Sequence, residues 1–350
     1  EGDSVAISVV SDITCLRPGY TLLGYSAEAD SDSFLMAADA HELTNNAGAA
    51  ALTMNAVWSV NTYTIAFDGN VPTANNGHTH AASETVQGST ASIAGCEYDK
   101  EYTLTTNGFT LTGWTFDSWN TAANGTGTKY ANGATVENLT AVENDTVTLY
   151  ARWTANKYTV VFVYGNGDVN LTEEWTYDVQ ETVANPTRTG YVFAGWDVTI
   201  GEDTIHSAIK DTTFSNLTAT NGETVTFTAT WTANTYTVKY NGGGATGSMA
   251  SQTIIYDEPT ALTANGFAKT GYTFAGWTAS VVGGLYKESA EAAWATIAAD
   301  TKVPNQAIVK NLVDGEKVKE LTLTANWNED EYTITFVYDN GTPNSTINYS

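Results

Sequence analysis

The chain has 350 residues, of which 42% are hydrophobic and 11% aromatic, so it can bury a core and is long enough for two or more domains. Its 39 acidic and 14 basic side chains give a net charge of −25, and a field of that sign disfavours nucleic acid and anionic membranes as partners. Two cysteines do not make a disulfide framework. The sequence contains no run of about 18 apolar residues, so neither a membrane-spanning helix nor membrane insertion is predicted.

Internal repetition organises the whole chain. Four segments end in a similar run that closes on a tryptophan, at Trp58, Trp153, Trp231 and Trp327. Each is followed by a new start of the form Tyr-Thr-x-x-aromatic, at Tyr63, Tyr158, Tyr236 and Tyr332. Successive tryptophans, like successive tyrosines, are 95, 78 and 96 residues apart. We therefore interpret the chain as tandem copies of one unit.

An aromatic motif lies about midway through each unit, as GYTLLGY (19–25), GWTFDSW (113–119), GYVFAGW (190–196) and GYTFAGW (271–277). The repetition predicts an incomplete unit at 1–61 that lacks its first strand. It also predicts units at 62–156, 157–234 and 235–330, and the first hairpin of a further unit at 331–350.

The fold is predicted to be mainly β, and α+β at most. In the start YTVVF, the residues Tyr158, Val160 and Phe162 alternate onto one face, as in a half-buried strand. The aromatic motif and the closing run are predicted to be further strands. The alanine-rich insertion at 287–300 in the unit 235–330 indicates a short helix, and 33–43 is its expected counterpart.

The links between units are short. WSVNTY, WTANKY, WTANTY and WNEDEY leave no room for a flexible tether. Neighbouring units are therefore expected to sit end to end as an elongated, stiff rod.

These residues carry a family likeness. The unit from Tyr158 to Trp231, with its YTVVF start, its Asn-Pro-Thr-Arg-Thr run before GYVFAGW and its closing TFTATW, resembles the internalin-type B-repeat, or Listeria–Bacteroides repeat, family. The resemblance implies small β-grasp-like modules in tandem in bacterial surface and secreted proteins, where they space an adhesive head from the wall or contribute to adhesion. The family offers no catalytic residues.

The unit 63–153 departs from the family pattern with Trp114 for tyrosine and Ser118 for glycine. The first segment departs further, since it has Tyr25 for tryptophan and no opening strand.

The two ends of the sequence fit each other. TINYS (346–350) followed by EGDSVAISVV resembles TIIYD followed by EPTALTA, as if four units were cut in a loop. Excision from a longer protein is the simplest explanation. Alternatively, the chain is one period of a longer covalent array, or its last hairpin completes the first unit of another copy, which builds a filament. Other copies of the chain or further repeats are thus expected partners.

Most of the tryptophans recur at the same place in each unit, which is what a repeated core requires. We interpret as structural the motif residues and the closing tryptophans: Gly190, Tyr191, Phe193, Gly195, Trp196, Gly271, Tyr272, Phe274, Gly276, Trp277, Trp58, Trp153, Trp231 and Trp327. Carbohydrate stacking is the alternative. Trp294 breaks the pattern and is a candidate contact with a ligand or another unit.

One feature of GYVFAGW conflicts with an ideal strand. Tyr191, Phe193 and Gly195 share a face, while Trp196 points the other way. We predict either a β-bulge at Gly195 and Gly276 that returns Trp196 and Trp277 to the core, or a strand covered on both faces.

Other candidate sites are weaker, and no catalytic, cofactor-binding or metal residue is predicted. His78, His80 and Glu84 fall in a Gly/Asn-rich segment that favours a solvated loop. Asp30 and Asp32 lack the glycine that a twelve-residue calcium loop requires.

Cys96 aligns with Trp175 and Ile254, so a buried thiol is favoured over a bridge to Cys15. The histidines at 41, 78, 80 and 206 show no spacing that indicates a nucleophile and its base, and the chain is not expected to be an enzyme.

Asn-x-Ser/Thr sequons occur at Asn124, Asn138, Asn144, Asn170, Asn216, Asn340, Asn344 and Asn348, about as many as the composition predicts by chance. Asn340, Asn344 and Asn348 are candidate glycosylation sites.

The sequence thus predicts a non-catalytic extracellular structural or adhesive protein, secreted or on the cell surface, and no cofactor. The alternative is a module that binds a host or surface glycan or protein through the variable insertions 120–135, 199–213 and 281–311.

Overall fold

The computed structural model describes residues 5–8, 16–26, 28, 36–37, 42–45, 54–72 and 85–349. These residues form strands joined by turns and loops, and no helix occurs among them. The mainly β class predicted from the sequence is therefore confirmed for the described part of the chain.

Two compact units make up the chain. One comprises residues 1–158, 174–181 and 215–223, and the other comprises residues 159–173, 182–214 and 224–350.

The strands before residue 157 are β1 (Val5–Ser8), β2 (Tyr20–Ser26), β3 (Met36–Ala37), β4 (Glu42–Asn45), β5 (Asn55–Val60), β6 (Thr62–Asp68), β7 (Gln87–Gly88), β8 (Ile93–Glu97), β9 (Tyr102–Thr103), β10 (Phe109–Thr110), β11 (Trp114–Asn120), β12 (Lys129–Tyr130), β13 (Thr135–Val136) and β14 (Asp145–Ala155).

The strands from residue 157 onward are β15 (Lys157–Val163), β16 (Leu171–Thr176), β17 (Glu181–Thr182), β18 (Tyr191–Ile200), β19 (Asp203–Ile209), β20 (Thr213–Phe214), β21 (Thr224–Ala233), β22 (Thr235–Asn241), β23 (Gln252–Ile255), β24 (Thr260–Ala261), β25 (Tyr272–Ala279), β26 (Leu285–Lys287), β27 (Ala295–Thr296), β28 (Ile308–Lys310), β29 (Glu320–Glu329), β30 (Tyr332–Phe336) and β31 (Ser345–Tyr349).

Three main sheets share one topology. Their strand orders are β12-β11-β14-β6-β8, β16-β15-β21-β18-β19 and β23-β22-β29-β25. In each, the opening strand of the repeat pairs parallel with its closing strand, and the closing strand pairs antiparallel with the motif strand. The parallel pair is central, so its apolar residues are covered and the repeat acquires its core there.

The opening strands bury the face that the sequence alternation predicts. Tyr158, Val160 and Phe162 are buried, and Tyr63 and Tyr236 occupy the place of Tyr158 in the other two sheets and are buried too. Short strand pairs complete the cores: Leu104 and Val136 beside β9 and β13 join the core of one repeat, and Leu262, Ile297 and Val309 join that of another.

The predicted β-bulge is present. The pairing of β18 with β21 shifts between Phe193 and Gly195, and that of β25 with β29 shifts between Phe274 and Gly276. The extra residue turns Trp196 and Trp277 inward, and neither side chain is exposed. The same shift occurs between Phe116 and Ser118, so this bulge forms without a glycine.

The two predicted helices are wrong. The segment 287–300 contains the end of β26, a bend and β27, which belong to the sheet β24-β28-β26-β27. In 33–43, the described residues lie in β3 and at the start of β4. Alanine propensity is a weak preference, and the pairing of β26 with β27 and with β28 outweighs it.

Candidate functional site: the joints between successive repeats

In three of the links, a single residue separates the closing strand from the opening strand that follows. Asn61 lies between β5 and β6, Asn156 between β14 and β15, and Asn234 between β21 and β22. All three asparagines are buried. We call each of them, with the residues it contacts, a joint.

The backbone of each joint asparagine bonds to both neighbours. Its N–H donates to the first glycine of the preceding aromatic motif: Asn61 to Gly19, Asn156 to Gly113 and Asn234 to Gly190, each at 2.8 Å. Its carbonyl accepts the N–H of a tyrosine in the following repeat: Tyr98 at 3.0 Å, Tyr177 at 2.8 Å and Tyr256 at 2.8 Å.

The amide side chain repeats this arrangement. Nδ2 donates forward to the carbonyl of Ala141, Ala219 or Asp314, at 2.7, 2.7 and 3.0 Å. In the first two joints, Oδ1 also accepts the hydroxyl of Thr21 or Thr115, both at 2.6 Å. An asparagine therefore suits this position because it offers a donor and an acceptor in opposite directions.

The first glycine of the motif is required by the joint. Gly19, Gly113 and Gly190 have φ of +76°, +73° and +80°, and a Cβ there would lie 2.1, 2.2 and 2.2 Å from the ring of Tyr98, Tyr177 or Tyr256. Gly271 has the same backbone, with φ of +79°, but no atom of the described residues lies within 4 Å of its would-be Cβ.

Aromatic and charged side chains also contact each other at the first and third joints. The hydroxyl of Tyr191 donates to the carboxylate of Asp257 at 2.8 Å, and that of Tyr20 donates to Asp99 at 3.1 Å. The guanidinium of Arg188 lies 3.8 Å from the ring centre of Tyr191. Burial, together with the Asp257 contact, raises the pKa of Tyr191.

The aspartate of a reciprocal Asp–Asn pair directly follows each of the tyrosines Tyr98, Tyr177 and Tyr256 in the chain. Asp99 pairs with Asn138, Asp178 with Asn216 and Asp257 with Asn311: the aspartate N–H donates to the asparagine Oδ1 and the asparagine Nδ2 donates back to the carboxylate. The Asn311 amide holds the pKa of Asp257 below its usual value. All six residues have φ between 52° and 63°, a conformation that Asn and Asp tolerate.

The other predicted structural residues lie in the repeat cores. Trp119, Trp196 and Trp277 are fully buried. The closing tryptophans Trp153, Trp231 and Trp327 are half-buried, and each indole N–H donates to a carbonyl of its own repeat, on Gly69, Tyr164 and Gly242 respectively. Trp58 is half-buried as well.

The remaining candidates are placed as follows. Trp294 is half-buried, and the ammonium groups of Lys287 and Lys310 lie 5.2 and 5.0 Å from its ring centre. Asn340, Asn344 and Asn348 are exposed, and their glycosylation stays a prediction.

Cys96 is a buried free thiol, and burial raises its pKa. Cys15, Asp30, Asp32, His41, His78, His80 and Glu84 lie outside the described residues. Among the residues that are described, no group of three or more His, Cys, Asp or Glu side chains is placed to hold a metal.

Sequence reasoning missed the joint asparagines. The signal was present, because an asparagine stands at the same place in the links WSVNTY, WTANKY and WTANTY. The partners of its side chain are 40 or more residues away, so the role of the asparagine follows only from the structure.

Comparison with known proteins supports a repeat architecture. The model of the Listeria-Bacteroides repeat domain matches residues 63–152, 158–234 and 236–303. Two proteins of Evansella cellulosilytica are similar: a "Putative Gly-rich membrane protein" is 29% identical over 243 residues, and a "Putative membrane protein" is 28% identical over 236 residues. The matches cover 67% and 65% of this chain but only 24% and 30% of those relatives.

Proposed function

The chain belongs to the Listeria–Bacteroides repeat family, and from this premise we propose that it is a non-catalytic structural and adhesive protein of the cell exterior. In this proposal, the tandem repeats form a stiff stalk or filament, and the joints transmit force from one repeat to the next.

The observation that carries the proposal is the satisfied joint asparagine. One residue links two strands, and in the first two joints its four polar groups bond to repeats on both sides. A bend at that residue has to break several buried hydrogen bonds at once, and each costs about 1–3 kcal/mol when its partner is left unsatisfied. The linker therefore resists bending, as a stalk requires.

Cell-surface localisation is the next part of the proposal. The two relatives are named as membrane proteins and are much longer than the matched region, which is compatible with a repeat array carried by a larger surface protein. In the described part of this chain, no helix is long and apolar enough to cross a membrane.

Two finer assignments belong to the proposal. The order of opening hairpin, closing strand and motif strand around a central parallel pair supports β-grasp-like units. The GYVFAGW motif supports the internalin-type B-repeat among the repeats of the family. Partnership with other copies or further repeats also remains a proposal.

Small-angle X-ray scattering of the full chain tests the stalk. We expect the pair-distance distribution of a rod for the wild type. The double variant Asn156→Gly, Asn234→Gly is expected to give a shorter and broader distribution, because glycine frees the linker and removes the side-chain bonds. Asn344→Gly, in an exposed loop, is the matched control. A compact wild-type particle, or a double variant that scatters like the control, would contradict the proposal.

Binding through the variable insertions is the second candidate function. The insertion 281–311 contains the short strands β26, β27 and β28, and Trp294, just before β27, lies beside Lys287 and Lys310, an arrangement suited to a ligand contact. Glycan-array binding that disappears in Trp294→Ala would favour this candidate over a purely structural role.

A further inference from the structure

Two equivalent clefts open at the first and third joints. Each has a volume of about 440 Å³, within the range of about 300–1,000 Å³ that is usual for small-molecule sites. We call them the joint clefts. The first is lined by Arg17, Tyr20, Leu22, Trp58 and Ala141, and the third by Arg188, Tyr191, Phe193, Trp231, Glu316 and Lys317.

The two linings correspond position by position. Arginine stands three residues before the motif tyrosine, an apolar side chain stands two residues after it, and the closing tryptophan forms another wall. The last wall comes from the following repeat. It lies near the carbonyl that accepts the hydrogen bond from Nδ2 of the joint asparagine. The cleft is therefore a product of the joint, since neither repeat alone supplies all its walls.

The walls of the third cleft are held in place before any ligand arrives. The indole N–H of Trp231 donates to the Tyr164 carbonyl at 2.9 Å, and its ring meets Phe193 edge to face with centroids 5.6 Å apart. Arg188 stacks on Tyr191, and no carboxylate of the described residues lies within ion-pair distance of it. A guanidinium stacked in this way keeps in-plane N–H donors for a ligand.

The chemistry of the lining favours a neutral, polyhydroxylated ligand. Aromatic rings offer apolar faces, while Arg188 and Lys317 supply donors and Glu316 supplies an acceptor. A rim of mixed sign does not select an anion, and the net charge of −25 repels a polyanion.

We propose that the joint clefts bind neutral polysaccharide chains, with the sugar rings against the tryptophan and tyrosine and the hydroxyls hydrogen-bonded to the arginine. This site goes beyond the stalk function, and it differs from the insertion candidate because Trp294 is not part of it. Recurrence of the cleft along the array gives avidity for a ligand that itself repeats.

The second joint provides a natural comparison. Leu111 stands where the other joints have Arg17 and Arg188, and its side chain is buried. A leucine is therefore compatible with the fold at this place, which makes Arg17→Leu and Arg188→Leu conservative probes of the ligand contact.

Isothermal titration of the full chain tests the proposal with cellohexaose, chitohexaose and mannohexaose as neutral probes. Polygalacturonate is the polyanionic probe, and a proline-rich peptide is the protein-like one. We expect at least one neutral probe to bind with two sites per chain, one per cleft. Arg188→Leu should leave one site, and the double variant with Arg17→Leu should weaken binding about tenfold or more, because each site loses a charged donor. Trp294→Ala should bind like the wild type.

Thermal unfolding verifies that each variant is folded, and Lys317→Ala, on an exposed turn, probes the third cleft a second way. The proposal is overturned if no neutral probe binds, if only polygalacturonate or the peptide binds, if the arginine variants bind normally, or if Trp294→Ala abolishes binding. The scattering test of the stalk involves neither arginine, so the two proposals fail independently.

Discussion

The second and third joints are each built on an asparagine, but the side chains near it differ between the two. At Asn156 the preceding motif supplies Thr115, whose hydroxyl donates to Oδ1, and the buried Leu111 stands just before that motif. At Asn234 the corresponding residues are Val192, which cannot donate, and Arg188, which stacks on Tyr191. The first and third joints also open a cleft beside the arginine.

This difference separates what a joint needs from what it tolerates. The backbone bonds to the motif glycine and to the following tyrosine are common to both joints, as is the forward bond from Nδ2. The side chains at and just before the preceding motif vary, and this variation is where binding specificity can arise.

Replacement of the joint asparagine by aspartate is expected to have the largest effect. Asn234→Asp removes the donor to the Asp314 carbonyl and buries a carboxylate beside it, at a cost of about 3–5 kcal/mol. Asn156→Asp should cost about 1.5 kcal/mol less, because Thr115 still donates to the new carboxylate. Hydrogen exchange of the Tyr256 and Tyr177 amides measures the loss at each joint.

The effect of both aspartate variants should depend on pH. Burial raises the folded-state pKa of the new carboxyl above its unfolded value of about 3.9. Below pH about 3.9 the acid is protonated and restores a donor, so the variants are least destabilised there. They lose stability as pH rises through the folded-state pKa of the new carboxyl. Equal protection at all pH values would show that the carboxylate does not face the carbonyl.

Gly190→Ala is expected to cost about 2–3 kcal/mol more than Gly271→Ala. Both glycines have a left-handed backbone, so both variants bear the same conformational cost. Only at Gly190 does the new methyl group collide with Tyr256. Urea unfolding followed by tryptophan fluorescence measures both, and equal losses would mean that the tyrosine ring moves aside freely.

Exchange of Thr115 and Val192 tests the hydrogen bond that Oδ1 of the joint asparagine accepts from the preceding motif. Thr115→Val leaves Oδ1 of Asn156 without this donor and should cost about 1 kcal/mol, whereas Val192→Thr should stabilise the third joint by a similar amount. Stabilisation by Thr115→Val together with destabilisation by Val192→Thr would indicate that β propensity, and not the hydrogen bond, determines the outcome.

The smallest expected effect is that of Arg188→Leu on stability. The variant loses the stacking on Tyr191, which is worth about 0.5–1 kcal/mol, and makes the third joint resemble the second. Lys269→Leu, which removes a similar contact with Tyr272, is the control in a motif outside a complete joint. A loss at Arg188 well above that at Lys269 would show that the arginine also stabilises the joint.

Much of each repeat could be predicted from the sequence. The alternation in YTVVF identified the buried face of β15, and the misplaced Trp196 in GYVFAGW predicted the bulge at Gly195. Both inferences need only the two-residue period of a strand and the requirement that large apolar side chains be buried.

The secondary structure of residues 287–300 could not be predicted in the same way. The alanines in this segment favour a helix locally, but β26 and β27 pair with each other and β26 with β28. A pairing partner distant in sequence is invisible to local propensity, and it outweighs preferences of a few tenths of a kcal/mol.

The sequence by itself determined the mainly β class, the repetition of the unit and the place of the aromatic core, because these depend on periodicity and on apolar side chains. Only the tertiary structure decided the function of the linker asparagines and the formation of the clefts. The Asn61 amide meets the carbonyl of a residue 80 positions later, and the same interval separates Asn234 from Asp314. Such a bond exists only when two repeats are packed together, so no local pattern in either repeat specifies it.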